Sequence, residues 1–387
     1  MNFADSRSTL VISDVHLSRG PSVAALALAR LVELHPQHEL IVAGDFFDLA
    51  LDPRDKHPGQ SIAEILSSHP ELCRALTDRL TRGAPVTLLA GNHDAAVGDT
   101  ANRAVVLERL GLAEDAPLAM FPWFVNVRGV HVEHGHFYDP DNAPTHPLCP
   151  WDYHTEPLGI AMTRRFVAPN GAMMFAGAYE TTPLAGLYQV LSEYRLRAPL
   201  VIVNYFATAG GLCVRARTAR RNVASESERG ADVLAEHSAL LGVAPTVLED
   251  LLSQGAQPTH HRVSSTFMRL YFDRIFATVG GAAGLLLGLC GAPQALALSA
   301  LGACYLGISV RRQGSRYQDL PPERLRDAAR RVRTTSGANS VIFGHSHVED
   351  QAPGYLNLGS FSFIKHAGHP YAEIDGRGAV HLRRFIG

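Results

Sequence analysis

Lysine is missing from the middle of this chain. Residues 151–334 hold 20 arginines, no lysine and 14 acidic residues, a net charge of +6. The rest of the chain holds 15 basic against 23 acidic residues, a net of −8. The total of −2 over 387 residues hides this asymmetry and argues against strong nucleic-acid affinity. A basic middle can still face anionic lipid or phosphate; the plain alternative is a solvated arginine-rich surface. Cysteine is also sparse. Cys73, Cys149, Cys213, Cys290 and Cys304 are odd in number and show no CxxC spacing, which excludes a disulfide framework and fits free thiols in a reducing compartment. The N-terminal segment carries acid early and lacks a long apolar stretch, so a cleaved signal peptide is not expected and a cytoplasmic location is. There is no repeat of fixed period and no low-complexity linker. Charge itself is absent from one long stretch, the 36 residues from Ile275 to Val310.

What is present in the first third is alternation. The apolar runs "STLVIS", "HELIVAG" and "PVTLLAG" read as buried strands. Between them, helical spacing runs over Pro21–Leu34, with the proline suited to a first turn, and over Ser61–Leu80. A short helix near Ala101–Leu110 and strands near Phe121–Val127 and Gly129–Glu133 follow. This is the pattern of an α/β layered domain. After about Pro150 the chain reads as mainly helical up to about Ser336. Strand-like segments then return in "NSVIFG", "YLNLGSF", "YAEID" and "AVHLRRF". The simplest organisation is one α/β catalytic domain, residues 1–150 and 336–387, interrupted by a helical insertion at 151–335 with an apolar hairpin at 275–310.

Polar residues stand where the apolar strands stop: Asp14 and His16, Asp45 and Asp48, Asn92, His93 and Asp94, His134 and His136, His345 and His347. Open α/β sheets build their sites at strand C-termini. In an extended D-x-H, side chains two apart point the same way, so Asp14 and His16 are expected to approach one ion together, as are His345 and His347. The mixture of carboxylate, imidazole and amide suits Mn, Fe or Zn better than Ca or Mg. Singly, each piece has a bland explanation as surface polarity, a turn or a helix cap. All five in order, each after a strand-like run, are hard to obtain by chance.

The five stretches "SDVHL", "AGDFFDL", "AGNHDA", "VEHGHFYDPDN" and "FGHSHV" resemble the motif series of the calcineurin-like metallophosphoesterase superfamily. The resemblance covers about residues 8–150 and 336–387. It implies a layered α/β/β/α sandwich and two divalent metal ions, with Mn2+ favoured and Fe or Zn as alternatives. Asp14, His16 and His347 would hold one ion, Asn92, His134 and His345 the other, and Asp45 would bridge them. His93 would contact the phosphate and protonate the leaving oxygen, with Asp94 orienting it. Asp48 would support a ligand, and His136 and Tyr138 would stand behind the ligands or on the substrate side. Two cations about 3.5–4 Å apart would neutralise the phosphoester and activate a bridging hydroxide for in-line attack.

The apolar run is constrained by these motifs. As one helix it would be about 54 Å long, but Gly291 and Pro293 break it into two arms of about 16 residues. A single crossing would separate His345 and His347 from Asp14 and Asn92 by a membrane, so the run must return to its starting side. Arg269 and Arg274 before it, and Arg311, Arg312 and Arg316 after it, fit two cytoplasmic ends. A hairpin inserted in the inner face of the cytoplasmic membrane, a hairpin buried in a soluble lid and an oligomer interface all satisfy this. The second uncharged run, Ala198–Val214, is expected to be buried or interfacial, and "RARTARR" after it suits anionic headgroups. The expected substrate is an amphiphilic phosphodiester or pyrophosphate, lipid-linked or nucleotide-lipid. Within the superfamily the functional analogy is to UDP-2,3-diacylglucosamine pyrophosphatases, although this chain has His93 where that group has arginine and its insertion is longer. A protein phosphatase, a nuclease and a membrane-associated non-catalytic scaffold are the alternatives.

Overall fold

Short apolar runs whose alternate residues go to different cores build the body. In the computed structural model, which describes residues 7–53, 55–172, 183–313 and 320–387, β1 (Thr9–Ile12) sends Leu10 and Ile12 into one core and Val11 into another. β2 (Glu39–Ala43) divides in the same way, Leu40 and Val42 against Ile41 and Ala43. This is the two-residue period of a strand buried on both faces, which is why these runs read as continuously apolar. Then come β3 (Val86–Leu89), β4 (Leu118–Phe121), β5 (Phe124–Val127), β6 (Val130–Glu133) and β7 (Ser340–Phe343). The last four strands are β8 (Glu349–Ala352), β9 (Tyr355–Leu358), β10 (His369–Ile374) and β11 (Val380–Phe385). They form two sheets, in the orders β11-β10-β1-β2-β3-β4 and β5-β6-β7-β9-β8. The strands after residue 336 pair directly with those before residue 150: β10 runs antiparallel to β1, and β7 parallel to β6.

The two sheets pack face to face through Val11, Ile41, Leu89, Val132, Ile342 and Leu356. Outside the first sheet lie α1 (Val23–Leu34), α2 (Pro58–Ser67), α3 (Pro70–Thr81) and α4 (Thr100–Leu110). Outside the second lie the helices Pro245–Ser253 and Leu320–Ser336, through Leu248, Leu251, Leu325 and Val332. The result is the expected α/β/β/α sandwich with a large helical insertion. Three local expectations need correction. The first helix starts after Ser22, whose hydroxyl caps it by accepting from Ala25 N at 3.1 Å, so Pro21 lies outside its first turn. The Ser61–Leu80 segment is two helices, because Pro70 cannot donate to the preceding turn and starts α3 instead. The Phe121–Val127 strand is two strands in different sheets; the chain changes sheet between Phe121 and Phe124, at Pro122 and Trp123.

The apolar run folds into two helices, Phe272–Leu289 and Leu296–Gln313, joined through Gly291 at φ +102°. They pack on each other through small residues. A Cβ on Gly284 would stand 2.6 Å from Ala295 O, and one on Gly302 would stand 2.6 Å from Ala277 O. At the foot, Arg274 donates to Ser309 Oγ (3.0 Å) and to Ser309 O (3.1 Å). The outward side chains of Phe276, Val279, Leu286, Leu289 and Leu301 are all exposed, so the hairpin is not buried in a lid. The run Ala198–Val214 belongs to one long helix, Ala198–Asp232. Its inner face, Val201, Ala209 and Leu212, is buried, while Leu200, Val203 and Val214 are exposed, so of the expected buried or interfacial placement one face is buried and the other is open. Among the described residues, three helical segments, Gly186–Ala219, Phe272–Leu289 and Pro293–Arg312, are long and apolar enough to cross a membrane. The five cysteines are free. Arg316 and the first six residues lie outside the described residues.

Ile12 lies fully buried between β1 and the outer helices. Ile12→Ala is expected to cost about 2–5 kcal/mol, read as a lower denaturant midpoint with unchanged slope.

Candidate metal centre

Every predicted ligand follows a strand end on one edge of the sandwich. Asp14 follows β1, Asp45 follows β2, Asn92 follows β3, His134 follows β6 and His345 follows β7. The D-x-H residues do not converge by strand pleating. Asp14 (φ +58°), His16 (φ +48°), Asp45 (φ +52°), His345 (φ +68°) and His347 (φ +54°) are all left-handed, in tight turns beyond the strands. Each costs about 1–2 kcal/mol in a side-chain-bearing residue, a strain that typically gathers at functional sites. Hydrogen bonds between turns hold them: Asp14 N to Gly44 O (3.2 Å), His16 N to Asp45 O (2.9 Å) and Gly344 N to His134 O (3.0 Å). The motif glycines allow the close approach. A Cβ on Gly91 would stand 2.1 Å from Asp45 Oδ1, and one on Gly344 would stand 2.4 Å from Asp14 Oδ2.

The donors face one another. His16 Nε2 lies 3.0 Å from His347 Nε2, and His347 Nε2 lies 3.1 Å from Asp14 Oδ1. On the other side His134 Nε2 lies 3.2 Å from Asp45 Oδ2 and 3.0 Å from Asn92 Oδ1, which is also 3.0 Å from His345 Nδ1. Asp45 stands between the sets, with Oδ2 3.7 Å from His16 Nε2 while Oδ1 accepts from His93 N at 2.8 Å. Asp14 is similar. Its Oδ2 accepts from Ser13 Oγ (2.5 Å) and His345 N (3.0 Å), and its buried Oδ1 makes no hydrogen bond of good geometry. The triads Asp14–His16–His347 and Asp14–Asp45–His134 each bring their ligand atoms within 4.8 Å of one another.

This frame fits cations. Burial opposes charge on His134, yet Asp45 and Asp14 outweigh it and push the imidazole up to about 10. Burial likewise opposes charge on Asp45, yet the histidines around it hold its carboxyl well below the usual range. Negative charge thus exceeds what neutral ligands balance, and bound divalent ions would supply the difference. His134 Nδ1 donates to Ala43 O at 2.9 Å, which fixes the tautomer that leaves Nε2 as a ligand.

The supporting carboxylates exchange their expected roles. Asp48, not Asp94, holds His93, with Oδ1 2.8 Å from Nδ1. Asp94 instead accepts from the backbone amides of Asp45 (3.2 Å), Phe46 (2.8 Å), Phe47 (3.1 Å) and Gly91 (2.7 Å), so it ties the GD turn to the GNH turn. Its burial, and then the charge on Asp45, push Asp94 up to about 6. Burial disfavours charge on His93, but Asp48 and Asp45 prevail and push it up to about 9. His93 keeps 18% of its side chain exposed beside otherwise buried neighbours, so it can meet a substrate. His136 is buried, its ring 5.3 Å from that of His134. Tyr138 does not stand on the substrate side; it is a core residue stacked on Phe343.

Two residues escaped the sequence reading. Asp139 Oδ2 lies 3.0 Å from His345 Nε2, and Asn142 bridges Asn92 Nδ2 (3.2 Å) and Asp139 Oδ2 (2.7 Å). Both lie in the quoted stretch "FYDPDN", whose paired acids were the available signal. Phe363, half-exposed, stacks on His347 at 5.2 Å between centroids and forms an apolar rim.

Residues 8–167, which carry Asp14, His16, Asp45, Asn92 and His134, match the family model for calcineurin-like phosphoesterases, and this supports a metal-dependent phosphoesterase. No curated protein and no solved structure matches the chain.

The carboxylates separate by experiment. Asp48→Ala is expected to lower kcat by about 10²-fold with little loss of stability, because it frees His93. Asp94→Ala is expected to cost several kcal/mol in unfolding, because four amides lose their acceptor. Equal effects of the two variants in paired kinetic and urea measurements would contradict this division.

Proposed function

We propose that this protein is a binuclear metal-dependent phosphodiesterase or pyrophosphatase that works at a membrane surface on an amphiphilic phosphoester, lipid-linked or nucleotide-lipid. The observation that carries the reaction class is the pair of ligand sets sharing Asp45 on one edge of the sandwich. Asp14, His16 and His347 would hold one divalent ion and Asn92, His134 and His345 the other, with Mn2+ favoured and Fe or Zn as alternatives. When bound, the ions would neutralise the phosphoester's charge and acidify a water.

The chain's own groups do the rest. Asp48 occupies His93 Nδ1, so Nε2 is the nitrogen left for a phosphoryl or leaving oxygen. The charged imidazole favoured by Asp48 and Asp45 is a donor, suited to stabilising negative charge as it develops. Ser13 and the His345 amide occupy one oxygen of Asp14, and the His93 amide occupies one oxygen of Asp45. Each carboxylate thereby keeps its other oxygen available and would hold an ion with it.

Support for an amphiphilic substrate comes from apolar surface. Phe363, stacked on His347, and the next residue, Ile364, are exposed, and the insertion exposes leucine along the hairpin and valine along the long helix. Each hairpin arm has 18 residues, about 27 Å, close to the thickness of a hydrocarbon core. Arginines cluster at the foot, as expected for a hairpin held at the cytoplasmic face.

Asp45→Asn and His93→Ala are expected to lower turnover of bis-nitrophenyl phosphate by at least about 10²-fold while circular dichroism stays unchanged. Near-normal activity of metal-loaded Asp45→Asn would remove the two-ion mechanism. A metal-reconstituted screen over phosphodiesters, nucleotide pyrophosphates, phospholipids, phosphopeptides and oligonucleotides should favour the amphiphilic esters; preference for phosphopeptide or oligonucleotide would make it a protein phosphatase or nuclease. In fractionation, the wild type should sediment with membranes, and Leu286→Glu with Leu301→Glu should shift it to the soluble fraction. A wild type that is soluble without detergent and self-associates would instead identify the hairpin as an oligomer interface.

A further inference from the structure

The foot of the apolar hairpin is bonded to the loop that supports the second metal-ligand set. Asp141 lies between Asp139, which holds His345, and Asn142, which holds Asn92. Asp141 Oδ1 accepts from Thr259 Oγ1 at 2.7 Å, and Oδ2 accepts from the Arg269 guanidinium. Thr259 N also donates to Pro140 O (2.7 Å), and Gly159 N donates to Asp141 O (2.8 Å). Arg269 ends the short helix Val263–Arg269, three residues before the first hairpin arm begins at Phe272. Arg269 and Asp141 each keep only 11% of their side chain exposed, so solvent screens the pair poorly.

Charge explains why this ion pair matters to the ligands. Asp139 and Asp141 are carboxylates two residues apart in one buried loop, joined by a 3.1 Å bond from Asp141 N to Asp139 Oδ1. Asp139 Oδ2 accepts from His345 Nε2 and from Asn142 Nδ2, so its position sets both contacts. Thr259 gives Asp141 a hydrogen bond but no charge; Arg269 supplies the positive charge. Without it, like charges oppose each other where the geometry of His345 and Asn92 is set.

We propose that Arg269 is a positioning residue. By neutralising Asp141 it fixes the Asp139–His345 and Asn142–Asn92 contacts, so the ion held by Asn92, His134 and His345 depends on the foot of the membrane hairpin. This rests on the two-ion reading. Residues that orient metal ligands from behind typically change metal affinity by about 10–100-fold when removed.

The test is a Mn2+ titration of metal-free full-length protein, following bound ions by calorimetry and the coupled Mn2+ pair by electron paramagnetic resonance. Arg269→Ala should bind one ion as the wild type does and the other about 10–100-fold more weakly. Arg274→Ala, which loosens Ser309 within the hairpin, should bind both ions normally. Arg269→Ala with Asp141→Asn should recover most of the lost affinity, because the unbalanced charge is gone; a purely structural role for Arg269 would not be rescued this way. Two ions of wild-type affinity in Arg269→Ala, or no recovery in the double variant, would overturn the proposal. A wild type that binds a single ion would instead overturn the two-ion reading.

Discussion

The constraint on which this structure depends is the crowding of negative charge at one edge of a dry sandwich. Asp14, Asp45, Asp48, Asp94 and Asp139 are all buried there, together with imidazoles that point ring nitrogens inward. Such a cluster would repel itself unless each carboxylate had a fixed duty. Here each has one. Asp94 is spent on backbone amides, Asp48 on His93 and Asp139 on His345. Asp14 and Asp45 each keep one oxygen uncommitted. The division of labour leaves ligand capacity only where ions are wanted, and the tight turns and glycines around it are consequences of bringing so many groups together.

The two halves of the molecule obey different rules. In the sandwich, apolar residues alternate between two cores, and polar groups occur where strands stop. In the insertion, the first half of the long helix, Ala198–Val214, is apolar on both its buried and its outer face, and the hairpin buries small residues while exposing large ones. Glycine against backbone carbonyl suits a helix pair with no water to drive it together. Besides the apolar packing of the helices Pro245–Ser253 and Leu320–Ser336 on the second sheet, polar contacts link the halves. Arg269 and Thr259 meet Asp141, while Arg164 donates to Leu49 O, one residue beyond Asp48. The insertion therefore reaches the site through hydrogen bonds and charge as well as through apolar cover.

Much of the site was legible because its residues are short-range signals. D-x-H, GD, GNHD, EHGH and GHSH each place polar residues just after an apolar run, and strand ends gather such residues on one edge. What misled was local reasoning about direction. An extended D-x-H predicts convergence by pleating, but the turns are left-handed, stabilised by bonds to neighbouring turns that no local pattern reports. The resemblance implied that Asp94 orients His93, yet its carboxylate turns to the GD turn and Asp48 reaches the imidazole across 45 residues.

The sequence by itself determined the class of fold, the ligand types and the need for the apolar run to return to its starting side. These follow from hydrophobic period, side-chain chemistry and connectivity, all of which are properties of the chain alone. Tertiary structure decided which carboxylate serves which partner and that the apolar stretch Ala198–Val214 is covered on one side only. It also decided that Asp141 joins the hairpin foot to the metal-ligand loop. The physical reason is that a hydrogen bond or ion pair depends on angstrom-scale placement of groups distant in the chain, and only the packed sandwich fixes that placement.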